Sequence, residues 1–203
     1  METIKRLIQE KKKLILASSS PRRRELLAQV GLSFEIDSAD IKEDVEEDDP
    51  VCLVEKLSYY KARAVAERHP EDVILGADTV VVFRDGIMGK PKDEEDAFLM
   101  LTKLSGQTHQ VYTGVTLLAV MQGEAIRESF TVCTDVVMHE NDEALLRKYI
   151  STGEPMDKAG GYGIQGLGAI LVKEIHGDYN NVVGLPVGEV WRRLEGIGKD
   201  RLA

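Results

Sequence analysis

The chain has 203 residues, 43% of them apolar and 30% charged, with a formal net charge of −9, a composition that excludes a disordered or membrane-spanning chain. A pI near 5.0 disfavours broad binding to nucleic acid and leaves open a small anion met at one basic spot. Only Cys52 and Cys133 are present and no two of the four histidines stand at i, i+4, so zinc lacks its usual ligands and any metal would be a hard one held by carboxylates.

The first thirteen residues read as an extension, 1–13, ahead of one domain over 14–203. The longest apolar run near the N-terminus, LILA, is too short for a signal-peptide core, which fits a cytoplasmic protein. Residues 14–17 predict a short strand. Ser20-Pro21 then predicts a helix start with Ser20 as cap, and Gly31 marks the stop. Between Asp40 and Asp49 seven of ten residues are acidic, which reads as a solvated loop with one or two carboxylates left over as cation ligands. A helix over 51–68 follows, broken at His69-Pro70, and DVILGADTVVVF reads as a buried strand.

Asp85-Gly86 is a two-residue hairpin signal, and in ideal register it sets Lys90 opposite Val81, on the face of Thr79 rather than Asp78. Asp93 predicts a helix cap with the helix running to Leu104. The runs HQVYTGVTLLAV and SFTVCTDVVM predict long strands. Asn141 or Asp142 opens a helix to Ile150, followed by the glycine-rich GEPMDKAGGYGIQGLGA. A strand over 170–175, the loop HGDYNNVVGLP and a short helix with Trp191 close the chain. Hairpin-paired strands interleaved with helices predict a three-layer α/β protein with a mixed sheet, arranged as two lobes around a cleft.

Three stretches could carry chemistry. In LASSSPRRRE, three arginines stand where a strand hands over to a helix, against a dipole that disfavours cations by about 0.3 to 1 kcal/mol each. An anion on that turn would accept from Ser18, Ser20 and free amides while one or two of Arg22, Arg23 and Arg24 close over it; the bland alternative is an exposed basic turn. In ILGADTVVV, Asp78 interrupts an apolar strand. It should be paired, bound to a cation, or placed at an open strand end, and could act as a general base or hold a divalent ion. Lys90, and less so Lys61, could neutralise phosphate oxygens. In MDKAGGYGIQGLGA, glycines suit close backbone approach or a flexible turn, and Gln165 offers an amide that donates and accepts toward a base edge.

Together LILASSSPRRREL, GADT, GKP, LSGQTH, EPMDKAGGYGIQG and DYNNVVGLP resemble the Maf family of nucleoside triphosphate pyrophosphatases, across roughly residues 14–195. The resemblance implies hydrolysis between the α and β phosphates with Mg²⁺ or Mn²⁺. It implies phosphate binding by Ser18, Arg22 and Arg23, metal binding by Glu43 and Asp78, charge neutralisation by Lys61 and Lys90, and Asp78 as proton acceptor. Arg22, Thr79 and Gln165 match the branch acting on dTTP and UTP; the 7-methyl-GTP branch typically has Trp, Gln and Glu there. A homodimer is also implied, and the family name leaves a regulator of septum formation as the non-catalytic alternative. A nucleoside triphosphate is the expected partner, with neither nucleic acid nor a membrane.

Overall fold

A computed structural model describes residues 12–38, 41, 45–84, 86–121 and 123–199. Asp40, Glu43 and Asp44 of the acidic run, and Asp85, lie outside the described residues. In chain order the elements are β1 (Leu14–Leu16), α1 (Pro21–Gln29), β2 (Glu35–Ile36), α2 (Pro50–Ala66), β3 (Val73–Phe83), β4 (Gly86–Met88), α3 (Glu94–Leu104), β5 (Thr108–Met121), β6 (Glu124–Met138), α4 (Glu143–Ile150), β7 (Val172–His176), α5 (Tyr179–Val183) and α6 (Val187–Lys199), with three 3₁₀ turns between α4 and β7. Seven strands among the described residues form one sheet in the order β2-β1-β3-β5-β6-β7, with β4 added to β3.

The fold is α/β with a mixed sheet: β1 runs parallel to β2 and β3, whereas the β3–β4 and β6–β7 pairs are antiparallel. The crossover from β1 to β2 moves one way along the sheet and the crossover from β2 to β3 moves back past β1. Right-handed connections therefore lay α1 and α2 on opposite faces. The chain forms two compact units, one of residues 1–78, 114–131 and 184–203, the other of 79–113 and 132–183.

In the first unit the core on the α2 face holds Ile15, Ala17, Ala62, Val65 and Ile74. Burying each larger side chain contributes about 1.5 to 3 kcal/mol. Helix α1 ends in the backbone pattern that a left-handed residue produces: Gly31 has φ +74°, its N–H donates to Ala28 O at 2.9 Å, and Leu32 N–H donates to Leu27 O at 3.2 Å. Helix α2 begins at Pro50 because Asp49 caps it, accepting from Val51 N at 2.8 Å.

Two glycines let α2 press against the sheet. A Cβ on Gly76 would collide with the Ser58 carbonyl and lie 2.8 Å from Ala62 N, and one on Gly114 would collide with the Val54 backbone. Since Ile74, Gly76 and Asp78 alternate onto the same strand face, the glycine seat is followed directly by the carboxylate.

The second unit has its own core of residues such as Leu101, Leu104, Val111, Val136, Leu146 and Tyr162. Asp93 caps α3 by accepting from Asp96 N at 2.8 Å, and Asp142 caps α4 by accepting from Leu145 N at 2.8 Å, as their positions predict. The β3–β4 hairpin departs from the expected register, since Phe83 pairs with Gly86 and Arg84 takes the left-handed conformation at φ 56°. The shift is by an even number of residues, so the faces keep their assignment, but β4 ends at Met88 and Gly89 O accepts from Gly160 N at 3.0 Å, which leaves Lys90 outside the ladder.

Two further elements differ from expectation. Residues 166–171 form a 3₁₀ turn rather than the start of a strand, with Gly166 at φ +67°, and β7 begins at Val172. Part of the loop HGDYNNVVGLP is the short helix α5, built around Asn181, which is fully buried. Among the described residues no helix is long and apolar enough to cross a membrane.

Candidate active site

The first unit brings five of the expected residues, Ser18, Arg22, Arg23, Lys61 and Asp78, to the carboxyl end of β1 and the adjoining middle of β3. Leu16 pairs with Leu75, and Ala17 N–H donates to Leu75 O at 2.8 Å, so Ser18 stands level with Ala77, one residue short of Asp78. The carboxyl ends of neighbouring parallel strands are where open α/β sheets bind ligands, because the loops there diverge and expose backbone N–H groups.

Ser18 is 7% exposed and its hydroxyl oxygen accepts twice, from Ser20 N at 3.2 Å and from Arg23 Nη1 at 3.1 Å. Arg23 Nε also donates to Gly184 O at 2.8 Å. The guanidinium is thus fixed at both edges, one by the turn after β1 and one by the glycine of VVGLP. Arg22 and Arg23 are half-buried whereas Arg24 is exposed, in keeping with three successive helical arginines being unable to converge. Ser20 occupies the N-cap position of α1, but its side chain makes no capping bond, and the first turn has no acidic residue. The expected Ser20 cap is corrected on this point: the nearby hydroxyl that takes a backbone N–H is Ser18.

Asp78 is 8% exposed, and Lys61 Nζ donates to its Oδ1 at 2.5 Å. The pair follows from the glycine seat, since close packing of α2 over Gly76 carries Lys61, three residues beyond Ser58, over Asp78 two residues further along β3. A buried carboxylate stripped of that ammonium would cost several kcal/mol, so the two side chains hold each other in place. Lys61, read as the weaker lysine from sequence, is therefore the one in direct contact with Asp78.

The second unit holds the remaining candidates. Thr79 Oγ1 lies 2.9 Å from Thr113 Oγ1, and Thr113 donates to Asn181 O at 3.1 Å. Asn181 Nδ2 in turn donates to Val111 O at 3.0 Å and to Thr134 Oγ1 at 2.9 Å. Thr79 is thus tied through Thr113 to a buried asparagine. Lys90 is exposed, Gln165 is half-buried, and among the described residues neither side chain makes a hydrogen bond.

Three residues that sequence reading passed over shape this unit. His109 is 2% exposed, with Nε2 2.7 Å from Tyr162 Oη, and burial lowers its pKa to about 4 against a smaller opposing pull from Asp135. Tyr149 and Glu154 bracket the glycine-rich segment. Each sits within a quoted motif or apolar helix face, and nothing in its residue type alone announces the bond it makes.

As for a metal, no group of three or more His, Cys, Asp and Glu side chains among the described residues could hold one, and Glu43 is outside them. Asp78 supplies one hard oxygen donor. That fits a magnesium-type site, which uses one or two carboxylates and draws its other ligands from phosphate and water.

Comparison with known proteins gives the family. The model of the Maf-like protein family matches residues 13–197. A dTTP/UTP pyrophosphatase of Agathobacter rectalis is 49% identical over 201 residues, covering 92% of this chain and 98% of that protein. A dTTP/UTP pyrophosphatase of a Geobacillus species is 49% identical over 188 residues, covering 92% and 99%. Among solved structures, the Staphylococcus aureus Ham1 protein is similar with a TM-score of 0.47 and 13% identity, over 79% of this chain and 80% of that one. With a family match spanning nearly its full length, the chain belongs to the Maf-like protein family.

Proposed function

We propose that this protein hydrolyses nucleoside triphosphates, dTTP and UTP first among them, between the α and β phosphates to give the monophosphate and pyrophosphate. The observation that carries the reading is the nearly buried Asp78–Lys61 pair midway along β3, where the neighbouring β1 ends in the Ser18 turn. The pyrophosphatase names of relatives 49% identical over most of the chain support it.

In this reading the polyphosphate docks on the turn after β1, where Arg22, Arg23 and the N-terminal amides of α1 face its oxygens. It competes for the Lys61 ammonium, and the loosened Asp78 Oδ1 takes the proton from the attacking water. The water oxygen bonds to the α phosphorus, the α–β bridging P–O bond breaks, and pyrophosphate leaves with the bridging oxygen. Lys61 and Lys90 would neutralise charge on the polyphosphate. A bound Mg²⁺ or Mn²⁺, held by Asp78 and Glu43, would screen charge on the polyphosphate. Thr79, Arg22 and Gln165 select the base, the Gln165 amide meeting the imide edge of uracil or thymine.

A nucleotide panel of dTTP, UTP, CTP, 7-methyl-GTP and ITP, with Mg²⁺, Mn²⁺ or chelator, tests this reading through pyrophosphate release. Preference for dTTP and UTP that chelator abolishes is expected. Faster turnover of 7-methyl-GTP would move the substrate to a cationic purine, and no turnover at all would favour a binding role in septum formation. A homodimer in the cytoplasm and a role in clearing modified pyrimidine nucleotides belong to the same proposal, the first checked by light scattering.

A further inference from the structure

The segment carrying Gln165 is anchored on both sides by one pair, a buried tyrosine and a half-buried glutamate. Tyr149, on α4, is 3% exposed; its hydroxyl donates to Glu154 Oε1 at 3.0 Å and accepts from Gly163 N at 3.2 Å. Glu154 accepts from Gly168 N through Oε1 and from Leu167 N through Oε2, each at 3.0 Å. The backbone two residues before Gln165 and two to three residues after it therefore ends on the same two side chains. Lys158 tightens the approach, its Nζ donating to Glu154 O at 2.6 Å.

The intervening glycines fit this clamp. A Cβ on Gly166 would sit 2.8 Å from Glu154 Oε2, and one on Gly168 would sit 2.8 Å from the Tyr149 hydroxyl. Burial would raise the Glu154 carboxyl, yet the N–H groups of Gly168 and Leu167 and the Tyr149 hydroxyl hold it below the usual carboxylate range. The glycine-rich run is thus pinned at a carboxylate rather than left as a flexible turn.

A glutamine amide alone does not separate uracil from cytosine. Turning it over exchanges its donor and acceptor, so it can meet either pattern of base-edge groups. Selection requires that the backbone carrying it be fixed, so that the amide reaches one pair of edge atoms, and which way round it lies is then set by the groups beside it. We propose that Tyr149 and Glu154 are positioning residues for base selection, holding both flanks of Gln165 against the pyrimidine. This rests on the reading of Gln165 as the residue that meets the base.

The test uses the full chain with Tyr149→Phe, Glu154→Gln and Gln165→Ala, measuring kcat and KM for dTTP, UTP and CTP. Tyr149→Phe and Glu154→Gln should each raise KM for dTTP and UTP by about tenfold, change kcat by less than about threefold, and lower the dTTP-to-CTP ratio of kcat/KM by about tenfold. A role confined to folding would lower the amount of active protein and leave that ratio alone. If Glu154→Gln fails to fold, Tyr149→Phe, which deletes one hydroxyl, decides. An unchanged ratio in folded Tyr149→Phe, beside a lowered one in Gln165→Ala, overturns the positioning role and spares Gln165. A wild-type enzyme without preference for dTTP over CTP, or a Gln165→Ala variant with the wild-type ratio, overturns the reading of Gln165 and the positioning role with it.

Discussion

Gly76→Ala isolates the contact that places Lys61 at Asp78. The added Cβ would meet the Ser58 carbonyl and lie 2.8 Å from Ala62 N and 2.9 Å from Ala62 Cβ, where ordinary contact starts at 3.4 Å. These are backbone and near-backbone atoms of α2, so no side-chain rotation relieves the clash, and the helix must retreat by about 1 Å, at an overpacking cost of about 1 to 3 kcal/mol. The Lys61–Asp78 pair at 2.5 Å then opens toward about 3.5 Å, the weak outer edge of hydrogen bonding. A displacement of that size at a reacting centre lowers rate by about 100-fold. Thermal melting and kcat/KM for UTP, measured together, should show both losses. The control is Gly196→Ala on α6, where nothing lies within 4 Å of the new Cβ; it should stabilise the helix by about 0.5 to 1 kcal/mol and leave kcat/KM unchanged. A folded Gly76→Ala variant with unaltered melting and turnover would refute the glycine seat.

Asp78→Asn should lower kcat by about 10² to 10⁴ while the fold, read by circular dichroism, persists. Arg23→Lys cannot span both Ser18 and Gly184, so kcat/KM should fall by about tenfold, mostly through KM, which steady-state kinetics would resolve. His109 gives a pH dependence of stability. Its folded pKa of about 4 lies below the ordinary 6.5, so between those values the unfolded chain takes up a proton that the folded one does not. Stability should therefore fall with pH from about 6.5 down to about 4, by up to about 3 kcal/mol from this group. Urea midpoints for the wild type and His109→Gln should converge as pH falls through that window; parallel curves would refute the assignment.

Much of the candidate site was legible because its residue types violate local expectation. Three arginines at a helix start and an aspartate within an apolar strand both demand a partner, and the structure supplies Ser18 and Gly184 for Arg23 and Lys61 for Asp78. The cap at Asp93 was legible for the same reason, since an aspartate ahead of an apolar periodic run accepts from the first free N–H groups; Asn141 and Asp142 were both candidates, and Asp142 makes the cap. The glycine seats were not, because Gly76 and Gly114 have negative φ and their constraint lies across the sheet in Ser58 and Val54. The hairpin register shifted because Arg84 took the left-handed position that Asp85-Gly86 advertises. Asn181 and Glu154 look like loop residues in sequence. Their roles come from buried acceptors and donors far along the chain, which no local pattern records.

Product identity from UTP and dTTP decides the chemistry. Anion-exchange separation after partial turnover should show UMP and dTMP in equal amounts with pyrophosphate, lost with Asp78→Asn. UDP or dTDP with inorganic phosphate would place the cleavage at the β–γ bond and contradict the proposed reaction, and an absence of any product would contradict catalysis itself.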